Sequence, residues 1–466
     1  MDNEKKERNS FTGSLGFVLA AAGSAVGLGN IWRFPYCAAK DGGGLFLLIY
    51  VIFAITFGFA LLITEVAIGR KTKQGPLTAY RFLNQKWRWL GIFSFVVPFI
   101  IYPYYCVIGG WVIKYMTTYI IGKGAVAVQD GFYTSFIKGN WQPILFTAIF
   151  AGACFYIVYR GVEDGIEKFS KILMPILAVI LIFIAIYALF LKFTDDDGVT
   201  RTGLQGAKIY LVPSFKGLTF RGFLRICLDA IGQLFYSLSI AMGIMIAFGS
   251  YMKKEVKLEQ SVNRIIVFDT VIAFFAGLMI IPTVYVFSGK EGLSSAGASL
   301  IFVALPKIFN SLGIFGHILG ALFFMMVLFA ALTSAVSILE AITSSLIDKF
   351  GWSRKKSVLI MSGATFIVSL IVCFGFNIWY FELNLPTVEK GQILDVLDYA
   401  SMNVLMPIIG ICTCILIGWV CKPKVLIDEI TINGEKFGRA KLYSVMIKFV
   451  APVLLFIILL TGLGII

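Results

Sequence analysis

Along the chain, apolar positions come in long, nearly unbroken runs parted by short polar connections, without the one-sided periodicity of a helix that faces water. Eleven runs approach or exceed the roughly 20 residues that cross a bilayer as a helix. They lie near 14–37, 43–69, 91–121, 142–159, 166–191, 223–252, 262–287, 317–347, 357–376, 394–421 and 442–466. Backbone groups in hydrocarbon must pair within their own segment, so the pattern predicts an all-α, polytopic membrane protein of 11 transmembrane helices. A semi-polar stretch near 293–310 is shorter and reads as a helical extracellular loop.

Composition agrees. Of 466 residues, 59% are hydrophobic and only 14% charged, against about 25% charged in a soluble domain, which makes a water-soluble multidomain reading poor. The net charge of +14 would suggest nucleic acid, but its distribution argues otherwise. The N-terminus and every second connection (70–90, 160–171, 253–264, 348–356, 422–441) hold 25 Lys and Arg; the opposite connections hold 10. That bias places the N-terminus in the cytoplasm and, after eleven crossings, the C-terminus outside a plasma (inner) membrane. The charge is a topology signal, the lipid bilayer is the expected partner, and no nucleic acid is expected. Residues 1–10 are polar, and the run after them lacks a small-residue cleavage site, so it reads as a span and not a leader. The eight cysteines (37, 106, 154, 227, 373, 412, 414, 421) lie in or beside apolar runs with no CxxC pair and read as small buried hydrophobes. With His317 the single histidine, neither a zinc centre nor a Ser/His/Asp triad is easily assembled, and no enzyme is expected.

Two runs carry breaks in their middles: Ala22-Gly-Ser-Ala-Val-Gly-Leu-Gly-Asn30 in the first and Gln233-Leu-Phe-Tyr-Ser-Leu-Ser-Ile-Ala-Met-Gly243 in the sixth. In one helix such residues can simply mean close packing. Two of them five helices apart match an inverted repeat of five plus five helices, with unwound first and sixth helices forming a midplane site. The divisions expected are a cytoplasmic segment 1–10, a first repeat 11–193, an extracellular loop 194–222, a second repeat 223–421, and a cytoplasmic loop with the eleventh helix over 422–466. Carbonyls released by unwinding suit a hard cation, and amides at half-helix N-termini suit a carboxylate. Ser24, Asn30, Ser237 and Ser239 add neutral oxygens at that depth, a ligand set better matched to Na⁺ than to Ca²⁺. Ionisable groups at membrane depth are Glu65, Asp269 and Glu340, with Asp229 nearer a helix end. Glu65 suits the capping of amides freed by a broken helix, and Asp269 suits a cation. In the eighth run Thr333 and Ser334 either bond back to their own helix or face a cation.

These residues resemble the neurotransmitter:sodium symporters, with their LeuT-type fold. The match rests on Gly23-Ser-Ala-Val-Gly-Leu-Gly-Asn-Ile-Trp-Arg-Phe-Pro-Tyr36 with Asp41-Gly-Gly-Gly44, supported by Gly232-Gln-Leu-Phe-Tyr-Ser-Leu-Ser239, Leu332-Thr-Ser334, Gly161-Val-Glu-Asp-Gly-Ile-Glu-Lys168 and Leu394-Asp-Val-Leu-Asp398. Eleven helices in place of the family's usual twelve is similar to many prokaryotic members. The resemblance implies sodium-coupled symport of an amino acid by alternating access, with two sodium sites. The first would use the carbonyl of Ala25 with Asn30, Ser237 and Asp269, and in the family the substrate carboxylate joins them. The second would use the carbonyls of Gly23, Val26 and Ala330 with the hydroxyls of Thr333 and Ser334. Asp269 departs from the commoner Asn, and Ala273 stands where chloride-dependent animal members have serine, so a fixed carboxylate would replace the anion and transport would not require chloride.

Gly27 replaces the Asp of monoamine carriers and leaves room for the carboxylate of an α-amino acid. By the resemblance that carboxylate would meet the amides of Ala25 to Gly29 and the hydroxyl of Tyr105; the ammonium would meet Ala25, Tyr236, Ser237 and Ser239. Ile101, Tyr105, Tyr236, Ala241, Met242, Ser334 and Ile338 would form a mainly apolar pocket for a hydrophobic, even aromatic, side chain. Ala241, where glycine is usual, shrinks the pocket and keeps alanine or glycine open as substrate. A transport-dead amino-acid receptor is the other alternative, and the oligomeric state is left open. Arg33 and Asp398 would pair as an extracellular gate above a lid of Tyr105 and Tyr236. Arg8 and Asp348, with Ser250 and Tyr251, would close the cytoplasmic side. Gly165 and Pro175 mark the inner half of the fifth helix as able to unwind for sodium release.

Overall fold

A computed structural model describes residues 10–195, 198–215, 217–293 and 297–465. Among these, nine helices are each long and apolar enough to cross a membrane. The first span is a tenth, split into Ser14–Ala25 and a second half over 29–40 that is bent by 55°. The sixth is also split, into Phe220–Ser237 and Ile244–Tyr251. Each of the eleven runs is thus helical among the described residues, nine as unbroken helices and two as broken pairs. Several outlast their apolar stretch, the eighth running from Gly313 to Phe350, because each further residue adds a backbone hydrogen bond once a helix has started.

The face from which the chain enters its first span is called the near face, and the opposite one the far face. Short elements cover the far face: a hairpin pairing Lys192–Thr194 with Thr200–Thr202, the helix Gly203–Leu211, the helix Leu305–Ser311 within the stretch expected to be a helical loop, and a hairpin of Leu383–Leu385 with Val388–Gly391.

Packing follows the repeat. The first span leans on the seventh and eighth, the near half of the sixth leans on the second, and the third packs along the eighth. The second and sixth spans approach closely through Gly69 and Gly249; a Cβ on Gly69 would collide with the carbonyl of Ile246, and one on Gly249 with that of Val66. Small residues that let backbones touch are the usual means of tight helix association in a membrane. That contact holds the near half of the sixth span, and the two breaks meet where the hydroxyls of Ser24 and Ser239 stand 3.2 Å apart.

Candidate functional site

In the first span the helix stops at Ala25, Val26 is extended, and helical geometry resumes from Leu28. Glycine at 27 keeps the space opposite clear: a Cβ would stand 3.1 Å from Ser334 Oγ and 3.3 Å from Tyr105 Oη, and those hydroxyls would have to give way. In the sixth span Ser239, Ala241 and Gly243 have φ of +52°, +63° and +71°. Ser239 and Ala241 hold a left-handed backbone without being glycine, a strain of the kind that collects at functional sites. The carboxylate of Glu65 braces this stretch by accepting the Ala241 N–H at 2.6 Å. The capping expected of Glu65 is therefore present, on the sixth span.

The two breaks enclose a cavity of about 90 Å³. Eleven of the twelve residues expected to bind substrate line it: Ala25, Gly27, Gly29, Ile101, Tyr105, Tyr236, Ser237, Ser239, Met242, Ser334 and Ile338. Ala241 does not; its left-handed backbone turns the amide to Glu65 and leaves the residue outside the lining. Ile244 and Met402 complete the apolar wall. Neither was anticipated, because nothing separates them in sequence from ordinary core residues.

Behind Asn30 and Ser237, which line the cavity, Asp269 is wholly buried and gathers three donors. Asn30 Nδ2 and Ser237 Oγ donate to Oδ1 at 2.8 and 2.7 Å, and the Tyr50 hydroxyl donates to Oδ2 at 3.3 Å. Asn30 Oδ1 meanwhile accepts the amide of Gly27 at 3.3 Å. A carboxylate offers about four lone-pair directions, so Asp269 keeps capacity for a cation after accepting these bonds. Tyr50 had no signal in sequence: a tyrosine in an apolar run looks like core.

Next to it, the Ser334 hydroxyl stands 3.3, 3.2 and 3.3 Å from the carbonyls of Gly23, Ser24 and Val26, all freed by the break. Thr333 turns back, donating to the carbonyls of Phe329 and Ala330 at 3.0 and 3.1 Å. Thr333 thus follows the first of the two readings open for this pair, bonding back to its own helix, whereas Ser334 turns to the freed carbonyls of the first span. A Cβ on Gly23 would also crowd this contact, lying 3.1 Å from Thr333 Cβ.

On the far side of the cavity, Arg33 and Asp398 do not make the expected direct pair. The guanidinium lies 4.3 Å above the centre of the Tyr236 ring, and Asp398 Oδ1 accepts the hydroxyl of Tyr104 at 2.9 Å. Stacking on the aromatic face draws Arg33 over the lid. The Tyr236 hydroxyl is tied to Asn403 Oδ1 at 3.0 Å, which joins the lid to the tenth span.

On the near side, Arg8 lies outside the described residues. Asp348 accepts the amide of Gly75, and Ser250 donates to the carbonyl of Ala247. The Tyr251 carbonyl accepts the Phe11 amide at 3.2 Å, and its hydroxyl donates to Glu340 at 2.5 Å. Arg354 forks onto the same Glu340 with two contacts of 2.7 Å. Glu340 stood out in sequence as an acid at membrane depth, but its partner lies at the start of the next helix and could not be read. In the fifth span Gly165 lies in a π-helical stretch, Val162–Glu167, and Pro175 lies inside the helix Lys168–Leu189. Glu167 anchors this end by accepting the amide of Thr12 at 2.9 Å.

A profile of the sodium:neurotransmitter symporter family matches residues 8–125 and 137–465. The chain belongs to that family. It is 32% identical over 459 residues, 97% of each chain, to an uncharacterized sodium-dependent transporter of Bacillus subtilis, YhdH. It is 26% identical to the sodium- and chloride-dependent GABA transporter 2 of Rattus norvegicus, over 81% of this chain and 69% of that one. The crystal structure of MhsT in complex with L-phenylalanine superposes with a TM-score of 0.83 at 33% identity, covering 98% of this chain and all of that one. The chain is therefore a sodium-dependent transporter of LeuT-type fold, a polytopic membrane protein and not an enzyme.

Proposed function

We propose that this transporter couples sodium entry to uptake of a hydrophobic α-amino acid by alternating access, without a requirement for chloride. The observation that carries the reading is the meeting of Asn30, Ser237 and Asp269 against a cavity built from two helix breaks. A buried carboxylate beside a cation in low dielectric neutralises it strongly, which removes the need for a second anion. The carbonyl of Ala25 completes this first sodium site. Gly23, Val26, Ala330, Thr333 and Ser334 form the second, which links the first span to the eighth.

The substrate carboxylate lies over the amides near Gly27, where no side chain intrudes, and its side chain lies against Ile101, Met242, Ile244, Ile338 and Met402. The MhsT complex with L-phenylalanine supports an amino acid of this class. The small cavity volume favours alanine or glycine as a second reading. The near face is cytoplasmic, as the basic residues indicate, and the segment from Gly165 to Pro175 unwinds to release sodium.

The test is uptake of labelled phenylalanine, leucine, alanine and glycine into proteoliposomes under an inward sodium gradient, in chloride and in gluconate. Accumulation of the large apolar amino acids in both media is expected. Preference for alanine or glycine would replace the substrate assignment, a chloride requirement would overturn the anion argument, and binding without accumulation would make the chain a receptor.

A further inference from the structure

At its far-face end the first span stops at Lys40, and the second begins at Gly44. The turn between them is pinned. A Cβ on Gly43 or Gly44 would collide with the carbonyls of Ile209 and Leu211, at the end of the helix Gly203–Leu211. Ser214 donates its amide to the carbonyl of Gly42 at 3.2 Å. Held there, Asp41 is only 5% exposed.

The Asp41 carboxyl lies within hydrogen-bonding reach of the carboxyl of Asp229, which stands on the far half of the sixth span. Two cations are close, Lys40 Nζ at 3.2 Å and Arg225 Nε at 3.9 Å, but both approach Oδ2 of Asp229. Asp41 Oδ2 has no hydrogen-bond partner among the described residues. Ionised carboxylates only accept, so two of them in contact leave a gap that one proton fills. From the first span Arg33 and Cys37 also lie within electrostatic range of Asp229, and Lys208 on the far-face helix with Tyr285 and Lys290 on the seventh span line, together with Asp41, one open depression. Burial, followed by the negative charge of Asp229, raises the Asp41 carboxyl to about 7.

We propose that Asp41 and Asp229 bind one proton between them from the far side, and that this proton holds together the far halves of the two broken helices. One half carries Asn30 and Arg33 and the other carries Tyr236 and Ser237, so their spacing sets the cavity beneath. The proton is bound below about pH 7; as the pH rises through that value it leaves, a negative charge is added between the helices, and the contact loosens. This goes beyond the symport reading, since the proton acts as a bound modulator.

Uptake in proteoliposomes, with the outer pH varied from about 6 to about 8 at fixed inner pH and sodium gradient, is expected to fall about fivefold, the low end of an ordinary coupling between sites. Asp41→Asn keeps the hydrogen bond to Asp229 without the titrating proton, and its uptake stays at the acid-side level throughout. Asp229→Asn removes the like charge and moves the midpoint to lower pH. A flat wild-type profile, or one that Asp41→Asn leaves unchanged, overturns the proposal. Infrared spectra of the purified protein read the proton directly: a protonated-carboxyl band present at acid pH, lost on raising the pH and absent in Asp41→Asn, is expected. Its absence from the wild type overturns the proposal even if the chain does not transport.

Discussion

The breaks in the first and sixth spans occupy equivalent places in the two repeats and face one cavity, yet they are built with opposite chemistry. The first is confined to Val26 and Gly27, flanked by Gly23 and Gly29, and turns carbonyls toward Ser334. The sixth runs from Leu238 to Gly243, places Ser239 and Ala241 in the left-handed region, and turns an amide to Glu65. One break offers acceptors that a hydroxyl can share. The other offers a donor that only a buried carboxylate satisfies, and it stores strain. In the function proposed above, the freed carbonyls that serve a cation come from the first break, whereas the shape of the sixth depends on its brace.

Breaking the brace has the largest expected effect. Glu65→Ala leaves the Ala241 amide buried and unpaired, a loss of about 1–3 kcal/mol, and both the thermal midpoint in detergent and uptake should fall steeply. Normal values for both would mean that the sixth break stands without Glu65. Ser334→Ala tests the first break more gently. Losing one shared hydroxyl, worth about 1.4 kcal/mol, should weaken the sodium dependence of uptake about tenfold and leave the thermal midpoint almost unmoved. A fall in stability as large as that of Glu65→Ala would erase the contrast between the two breaks. The smallest effect is a gain: Ala241→Gly relieves a left-handed residue and should raise stability by about 1 kcal/mol, measured as a higher thermal midpoint. An unchanged or lower midpoint would show that Ala241 is not strained.

The helices could be read in advance because a bilayer demands long apolar runs, and the breaks because Gly, Ser and Asn interrupt such runs visibly. Asp269 was legible for the same reason, as one of few charges at depth. The misses have separate physical causes. Tyr50 and Tyr104 bind Asp269 and Asp398 through hydroxyls on otherwise apolar side chains, so hydropathy hides them. The pairing of Arg33 with Asp398 gave way to an aromatic ring because stacking depends on where Tyr236 sits, which pattern alone does not encode. Ala241 was assigned to the pocket by position, and a backbone angle removed it.

The first span leans on the seventh and the near half of the sixth leans on the second, so each broken helix is propped by the other repeat. Neither set of five helices contains a finished cavity, and expressing one alone would yield half of a binding surface with its polar groups facing lipid. The smallest working unit is two oppositely oriented halves. An ancestor encoding a single half would have needed to insert in both directions and meet itself within the bilayer before it could carry anything.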